Sequence, residues 1–139
     1  MAGQTEQLKL RTERFAVTVV RLFQVLPRNE EASVIGRQLL RSATSVGANY
    51  RAVCRARSRK EFISKIGLVV EEADESVFWL ELLGKCDLVD AVRLRPVVRE
   101  ASELLAIFAA SQRTARYGKA GHSKSSMTHS SMIQSPEIQ

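Results

Sequence analysis

Positive charge is concentrated in one short stretch of this 139-residue chain, NYRAVCRARSRKEF (residues 49–62), where four arginines and a lysine precede the first acid, Glu61. Arginine binds phosphate and carboxylate through paired N–H donors and keeps its charge at physiological pH. Three explanations are open for this stretch: a nucleic-acid contact, a salt-bridged contact with another chain, or a solvated helix face. In each case the available chemistry is the binding of anions.

Residue types that serve catalysis are sparse. Both histidines, His122 and His129, lie in the C-terminal segment, so the commonest general base is missing from the periodic part of the sequence. That part has no glycine-rich phosphate loop, no zinc-type spacing of cysteine and histidine, and no Ser/His/Asp set. Glu71, Glu72 and Glu75 could hold a cation, but a solvated or salt-bridged face is the simpler explanation. We therefore predict no enzyme activity, no catalytic residues, no metal and no cofactor.

The charges are also divided along the chain. Residues 32–60 contain seven basic side chains and no acid, whereas residues 61–90 contain eight acids and two lysines. Such neighbouring blocks of opposite sign favour an anionic partner or a complementary contact between copies of the chain. The N-terminus has no apolar signal region, and no apolar run approaches the roughly 20 residues of a membrane span. We expect a cytoplasmic protein without a membrane partner.

Apolar residues recur at helical spacing through most of the sequence. Pro27 ends the first periodic segment, Asn29 is placed to cap the second, Ser58 and Glu61 form a capping-box pattern for the third, and Gly84 stands where a C-cap glycine belongs. This punctuation predicts four helices at about 4–26, 30–56, 59–83 and 90–115.

Four amphipathic helices with short connections bury their apolar stripes together as an all-α, antiparallel up-down four-helix bundle. We assign this bundle to residues 1–117, and we predict that the polar, serine-rich residues 118–139 form a disordered tail. One detail is open at the fourth helix. Asp90 caps a first turn only if Pro96 falls inside the helix, where it would produce a kink.

The second predicted helix carries a stripe of arginines opposite its apolar face. At 100° per residue, its four arginines fall within about 80°, and i,i+4 pairs of like charge are unfavourable unless an anion meets them. Three basic residues at the following turn extend the stripe. The predicted nucleic-acid-binding residues are Arg37, Arg41, Arg51, Arg55, Arg57, Arg59 and Lys60. No aromatic residue interleaves with them, which argues against recognition of single strands by base stacking.

Small or neutral polar residues form a seam beside the core on the same helix: Gln38, Ser42, Ser45 and Asn49. They fit close helix approach, or hydrogen bonds to a carboxylate of a neighbouring helix, and we interpret them as a structural polar seam.

The outer face of the third predicted helix indicates an oligomer. Glu71, Glu75, Phe78 and Leu82 share this face and Trp79 flanks it, so it is acidic first and apolar later. An exposed apolar patch of this kind marks an interface. A neighbouring subunit could meet it with its basic second helix, and such a head-to-tail contact closes into a ring when the rotation allows.

The stretches QLLRSATSVGANYRAVCRARSRKEFISKIGLVVEEADESVFWLELL (residues 38–83) and EASELLAIFAASQRTAR (residues 100–116) resemble the bacterial four-helix-bundle protein family. The family includes proteins encoded in intervening sequences of large-subunit ribosomal RNA genes and is related to the accessory variability determinant of diversity-generating retroelements. The likeness covers roughly residues 10–117. It is specific in the run Arg41, Ser42, Ser45, Asn49 and in Trp79-Leu80.

This chain departs from many members at residues 49–53, where Asn-Tyr-Arg-Ala-Val replaces Asn-Ile-x-Glu-Gly. The resemblance implies an up-down bundle. Its retroelement relatives imply a pentameric ring with a basic surface, associated with nucleic acid and with a reverse transcriptase.

Two functions follow as hypotheses. The first is a homo-oligomer, favoured as a pentamer, that binds RNA or DNA phosphates through its basic stripe as an accessory factor. The alternative is a protein–protein scaffold in which the arginines pair with Glu71 and Glu75 of the adjacent subunit and bind no nucleic acid.

Overall fold

Four α-helices joined by short connections build the fold in the computed structural model, which describes residues 2–118. The helices are α1 (Ala2–Gln24), α2 (Glu30–Val53), α3 (Arg59–Lys85) and α4 (Ala91–Arg113), and a π-helical terminal turn (Thr114–Gly118) follows. The described part of the chain contains no strand. The connections are residues 25–29, 54–58 and 86–90. Because such short connections make successive helices antiparallel, the predicted all-α bundle is confirmed.

Side chains predicted to cap the helices do so. Asn29 accepts a hydrogen bond from the backbone N–H of Ala32 at 2.9 Å, and the Ser58 hydroxyl accepts one from the N–H of Glu61 at 3.0 Å. The Glu61 carboxylate in turn accepts the backbone N–H of Arg57 at 3.1 Å, one residue before the cap. These contacts satisfy N–H groups that a helix start leaves unpaired.

The C-terminus of α3 differs from the expectation. Gly84 lies inside the helix, and the left-handed residue is Asp87, with φ of 56°. The Leu88 N–H donates to the Leu83 carbonyl at 2.9 Å and the Asp87 N–H to the Gly84 carbonyl at 3.0 Å, which is the Schellman pattern. A Cβ on Gly84 would lie 2.7 Å from Leu94, so glycine allows α4 to approach closely here.

The start of α4 includes the residues before its proline. Asp90 caps the helix by accepting the N–H of Val92 at 3.3 Å, and Pro96 lies within the helix. Since proline has no N–H, the Val92 carbonyl lacks its usual helical donor. The capping alternative at Asp90 is therefore the one the structure adopts.

Apolar residues from all four helices meet along the bundle axis, as their spacing predicts. Tyr50 of α2 packs against Phe108 of α4, with ring centroids 5.1 Å apart. The largest fully buried apolar side chains are Val19, Leu39, Val46, Ile66, Val69, Leu80, Leu83, Leu104 and Phe108. Contact is most extensive between α2 and α3 and sparse between α1 and α4.

The described chain ends in the terminal turn, which lies against the start of α3. The Arg59 guanidinium donates from Nη2 to the Arg116 carbonyl at 3.3 Å. Apart from Gly118, which ends this turn, the predicted disordered tail at 118–139 lies outside the described residues.

Candidate nucleic-acid interface

Arginines of α2 lie on the exposed side of the helix, opposite its buried face. Arg37, Arg41 and Arg51 are all exposed, and at 1.5 Å per residue they extend over about 21 Å. Thr44 and Ala48 occupy the surface between Arg41 and Arg51. Because these two side chains are small, an extended anionic backbone can approach the helix between the arginines.

Arg55 is exposed but does not continue this stripe in helical register. The helix ends at Val53, and the Arg55 N–H donates to the Ala52 carbonyl at 3.1 Å, in a tighter turn than the α-helix. The expectation of four arginines on one helical stripe is therefore wrong at Arg55, because the predicted helix extends three residues too far. Arg55 belongs instead with the basic residues of the turn.

These arginines have no acidic partner within residues 2–118. Arg41 makes a single polar side-chain contact, donating to Gln38 at 3.2 Å. Along residues 30–60, the basic side chains without a carboxylate partner are Arg37, Arg41, Arg51, Arg55, Arg59 and Lys60. Their charges therefore remain available to an external anion.

Arg11, unlike the α2 arginines, pairs with acidic side chains. Its guanidinium contacts Glu100 through Nε at 2.7 Å and through Nη2 at 2.8 Å, and reaches Glu103 at 2.6 Å. The hydrogen bonds to Glu100 raise the pKa of the Arg11 guanidinium. This cluster joins α1 to α4 where their packing is sparse. The bundle thus pairs arginine with acid where two helices must be held together, and not along α2.

The turn between α2 and α3 adds Arg57 to the basic surface, the first two residues of α3 add Arg59 and Lys60, and all three are exposed. Only Arg57 has an acid nearby, with its Nε 3.5 Å from Glu61. The backbone hydrogen bond from Arg57 lowers the pKa of the Glu61 carboxyl. One acid thus offsets part of the charge of this turn, and the rest faces solvent.

Sequence reasoning missed the basic residues at the far end of the chain. Arg113 and Arg116 are exposed, and the hydrogen bond from Arg59 brings Arg116 to the same end of the bundle. Next to Arg116 stands Tyr117, which is 65% exposed. No local signal could place these residues, because α3 and α4 separate them from the turn along the sequence.

The predicted polar seam lies between α2 and α3. Ser42 is buried, its hydroxyl is 3.0 Å from that of Ser76, and it also donates to the Leu39 carbonyl at 3.2 Å. Gln38, Ser45 and Asn49 are half-buried beside it. The partner of Ser42 is therefore a hydroxyl and not a carboxylate, and small residues let α2 and α3 approach closely.

The outer face of α3 exposes the residues predicted for an interface. Phe78 is 53% exposed and packs edge-on against Trp79, with ring centroids 4.8 Å apart. Glu71 is exposed, whereas Glu75 and Leu82 are half-buried. Leu68, 48% exposed, extends this face towards the start of the helix and was missed, although its spacing of seven from Glu75 could have shown it. We name these six residues the α3 face.

Two buried polar atoms beside the α3 face have no hydrogen-bond partner within the described chain, Oε1 of Glu72 and Nε1 of Trp79. The two residues are seven apart and so lie on the same side of α3. Burial raises the pKa of the Glu72 carboxyl, the charge of Glu75 raises it further, and Arg41 opposes both. Buried polar atoms normally have partners, so these two atoms are exceptions in the packing of α3.

The described residues offer neither a metal-binding cluster nor a membrane-spanning helix. Among residues 2–118, no group of three histidine, cysteine, aspartate or glutamate side chains is arranged to hold a metal ion. In the same residues, every helix is too short or too polar to cross a membrane.

The fold and surface define an all-α four-helix bundle with a row of exposed arginines along α2. The chain belongs to the family of 23S rRNA-intervening sequence proteins, whose sequence model matches residues 7–110. It is similar to the crystal structure of a protein of unknown function from the S23 ribosomal protein family of Bacteroides thetaiotaomicron, with 32% sequence identity and a TM-score of 0.71. That match covers 76% of this chain and 98% of the other. No curated protein matches the chain.

Proposed function

We propose that this protein is a non-enzymatic homo-oligomer that binds RNA or DNA through the phosphates, as an accessory factor. The observation that carries the proposal is the row of exposed α2 arginines without an acidic partner among residues 2–118. Like charges repeated along a helix are unfavourable in isolation, whereas phosphates make them favourable. The name of the family, which refers to an intervening sequence of 23S rRNA, makes RNA the first ligand to test.

The α3 face supports the oligomeric part of the proposal. Phe78 is 53% exposed on the α3 face, which also contains the apolar residues Leu68 and Leu82. A second copy would bury the exposed ring of Phe78. Because the α3 face does not complement itself in charge, a contact with a different face of the next copy is favoured, and such contacts close into rings. The pentamer is the size that the retroelement resemblance favours.

A different observation supports the alternative function as a protein–protein scaffold. Glu71 is exposed and Glu75 is half-buried on the α3 face, neither has a salt bridge among residues 2–118, and an α2 arginine of a neighbouring copy could pair with them. In that arrangement the arginines would be occupied within the ring and would not reach phosphates. The two functions differ in what the same arginines contact.

Charge reversal separates the two functions. The test variant carries Arg51→Glu and Arg55→Glu, and the control variant carries Arg14→Glu and Arg21→Glu, which change the net charge equally on the exposed side of α1. Binding to labelled duplex and single-stranded RNA and DNA is measured by fluorescence anisotropy, and mass by light scattering. We expect the test variant to bind much more weakly and to keep its mass, while the control keeps both its affinity and its mass.

The charge reversal should also change the salt dependence of nucleic-acid binding. Since each duplex phosphate contact adds about 0.9 to the slope of log affinity against log salt, losing two contacts should lower the slope by about 2. Dissociation of the oligomer in the test variant alone would support the scaffold and refute phosphate binding by these arginines. The proposed reverse-transcriptase partner, which rests on the retroelement resemblance, is tested separately by co-purification with the tagged protein.

A further inference from the structure

The terminal turn places an aromatic ring at the most basic end of the bundle. Tyr117 is 65% exposed, and its neighbour Arg116 is held by the hydrogen bond from Arg59 at 3.3 Å. This end also presents Arg55, Arg57, Lys60 and Arg113, which are exposed. The tyrosine therefore lies within a group of positive charges that three separate segments supply: the α2–α3 turn, the start of α3 and the end of α4.

The other strongly exposed aromatic side chain in the described chain has different surroundings. Phe78 packs edge-on against Trp79, on an acidic and apolar face. It lies 19 residues along α3 from Arg59, which corresponds to about 28 Å. The exposure of Phe78 fits a protein interface, whereas the basic setting of Tyr117 fits an anionic ligand with an aromatic part.

An unpaired nucleotide combines both properties. Proteins that bind single strands hold the phosphates with arginine and lysine and stack exposed aromatic rings on the bases. In a regular duplex the bases are stacked on each other and their faces are not accessible, so an aromatic ring on the protein gains little. No aromatic residue interleaves with the basic stripe along the sequence, and the fold brings Tyr117 to this end of the bundle from the end of α4.

We propose that Tyr117 stacks on an unpaired base while Arg59, Lys60 and Arg116 contact the flanking phosphates. This inference rests on the proposed nucleic-acid binding and specifies its ligand: single-stranded or looped nucleic acid, bound in preference to a regular duplex. The face of any base serves such stacking, so the preference is for strandedness and not for sequence. RNA and DNA share this chemistry.

The test compares Tyr117→Ala and Tyr117→Phe in the full chain, because phenylalanine keeps the stacking ring. Anisotropy titrations use four labelled probes: single-stranded RNA, single-stranded DNA, and the duplex of each. We expect Tyr117→Ala to weaken binding to single strands about tenfold and to change duplex binding by less than about twofold, while Tyr117→Phe stays near the parent protein. The two single-stranded probes show whether the ribose hydroxyl contributes.

A direct readout complements the affinities. A single-stranded probe with 5-bromouracil, irradiated in the complex, should cross-link to the peptide that contains Tyr117. Equal single-strand affinity for the parent and Tyr117→Ala, with the cross-link elsewhere, would overturn this inference and leave phosphate binding by α2 standing. Failure of the parent protein to bind any probe would overturn both.

Discussion

Substitution of Phe78 by serine tests whether the α3 face is covered by a second copy. The ring is 53% exposed in the single chain, so about half of a phenylalanine surface, roughly 100 Å², is available for burial. At about 25 cal/mol per Å², burial of this area contributes about 2.5 kcal/mol per subunit contact. Phe78→Ser should therefore weaken each contact about 60-fold.

The control for this substitution is Val17→Ser. Val17 is 43% exposed on α1, away from the α3 face, so its substitution removes exposed apolar surface without touching the proposed contact. Each purified variant is diluted over a wide concentration range and its mass is followed by light scattering and sedimentation velocity. Circular dichroism checks that both remain helical.

We expect Val17→Ser to dissociate on dilution at the same concentration as the parent protein. Phe78→Ser should dissociate at a concentration about 60-fold higher than the parent protein does. Within the single chain the substitution should be tolerated, at about 1 kcal/mol, because half of the ring already faces water. An unchanged dissociation profile for Phe78→Ser, or a parent protein that is monomeric throughout, would refute the oligomer drawn from the α3 face.

Two further predictions concern the stability of the monomer, measured by denaturant unfolding and thermal melting in the Phe78→Ser background. Because burial raises the folded-state pKa of Glu72, its contribution to stability is lost as pH rises from the ordinary glutamate value through the folded one. Glu72→Gln should then stabilise the chain by a few tenths of a kcal/mol at pH near 7 and by nothing at pH near 4; equal stabilities near pH 7 would contradict the raised pKa. Asp87→Gly should stabilise by about 0.5–1 kcal/mol, since Asp87 has φ of 56°, whereas Asp74→Gly within α3 should destabilise. A lower melting temperature for Asp87→Gly would contradict the left-handed conformation.

Much of the fold could be predicted because the spacing of apolar residues along the sequence indicates where helices form. The apolar stripes recur every three to four residues, and capping residues such as Asn29 and Ser58 mark where helices begin. The C-terminal ends of helices are harder to predict from the sequence than their starts. The end of α2 at Val53 has no glycine or proline to mark it, so the predicted helix continued and Arg55 was placed in the wrong register.

The predicted C-cap of α3 at Gly84 is wrong for a related reason. Glycine is the usual left-handed residue after a helix, which made Gly84 the natural choice. In the fold Gly84 serves the close approach of Leu94, and the left-handed position falls to Asp87 three residues later. Packing against α4 decides this, and no local pattern contains it.

Some residues of the candidate site could also be predicted from local sequence patterns, whereas others depend on the packing of the helices. The α2 arginines could be found because they repeat along one helix, and Phe78 because it stands opposite the core stripe. The setting of Tyr117 beside Arg59 could not be found, because it depends on how the end of α4 meets the start of α3. The unpartnered atoms of Glu72 and Trp79 likewise emerge only when the helices are packed.

The salt dependence of nucleic-acid binding by the parent protein tests the central claim most directly. Labelled RNA and DNA, single-stranded and duplex, are titrated by fluorescence anisotropy at several salt concentrations between about 50 and about 200 mM. If the four α2 and turn arginines Arg37, Arg41, Arg51 and Arg55 contact phosphates, the duplex affinity per bound subunit should fall with a log–log slope of about −3 to −4. Absence of binding at the lowest salt, or binding that does not change with salt, would contradict phosphate recognition by the basic stripe.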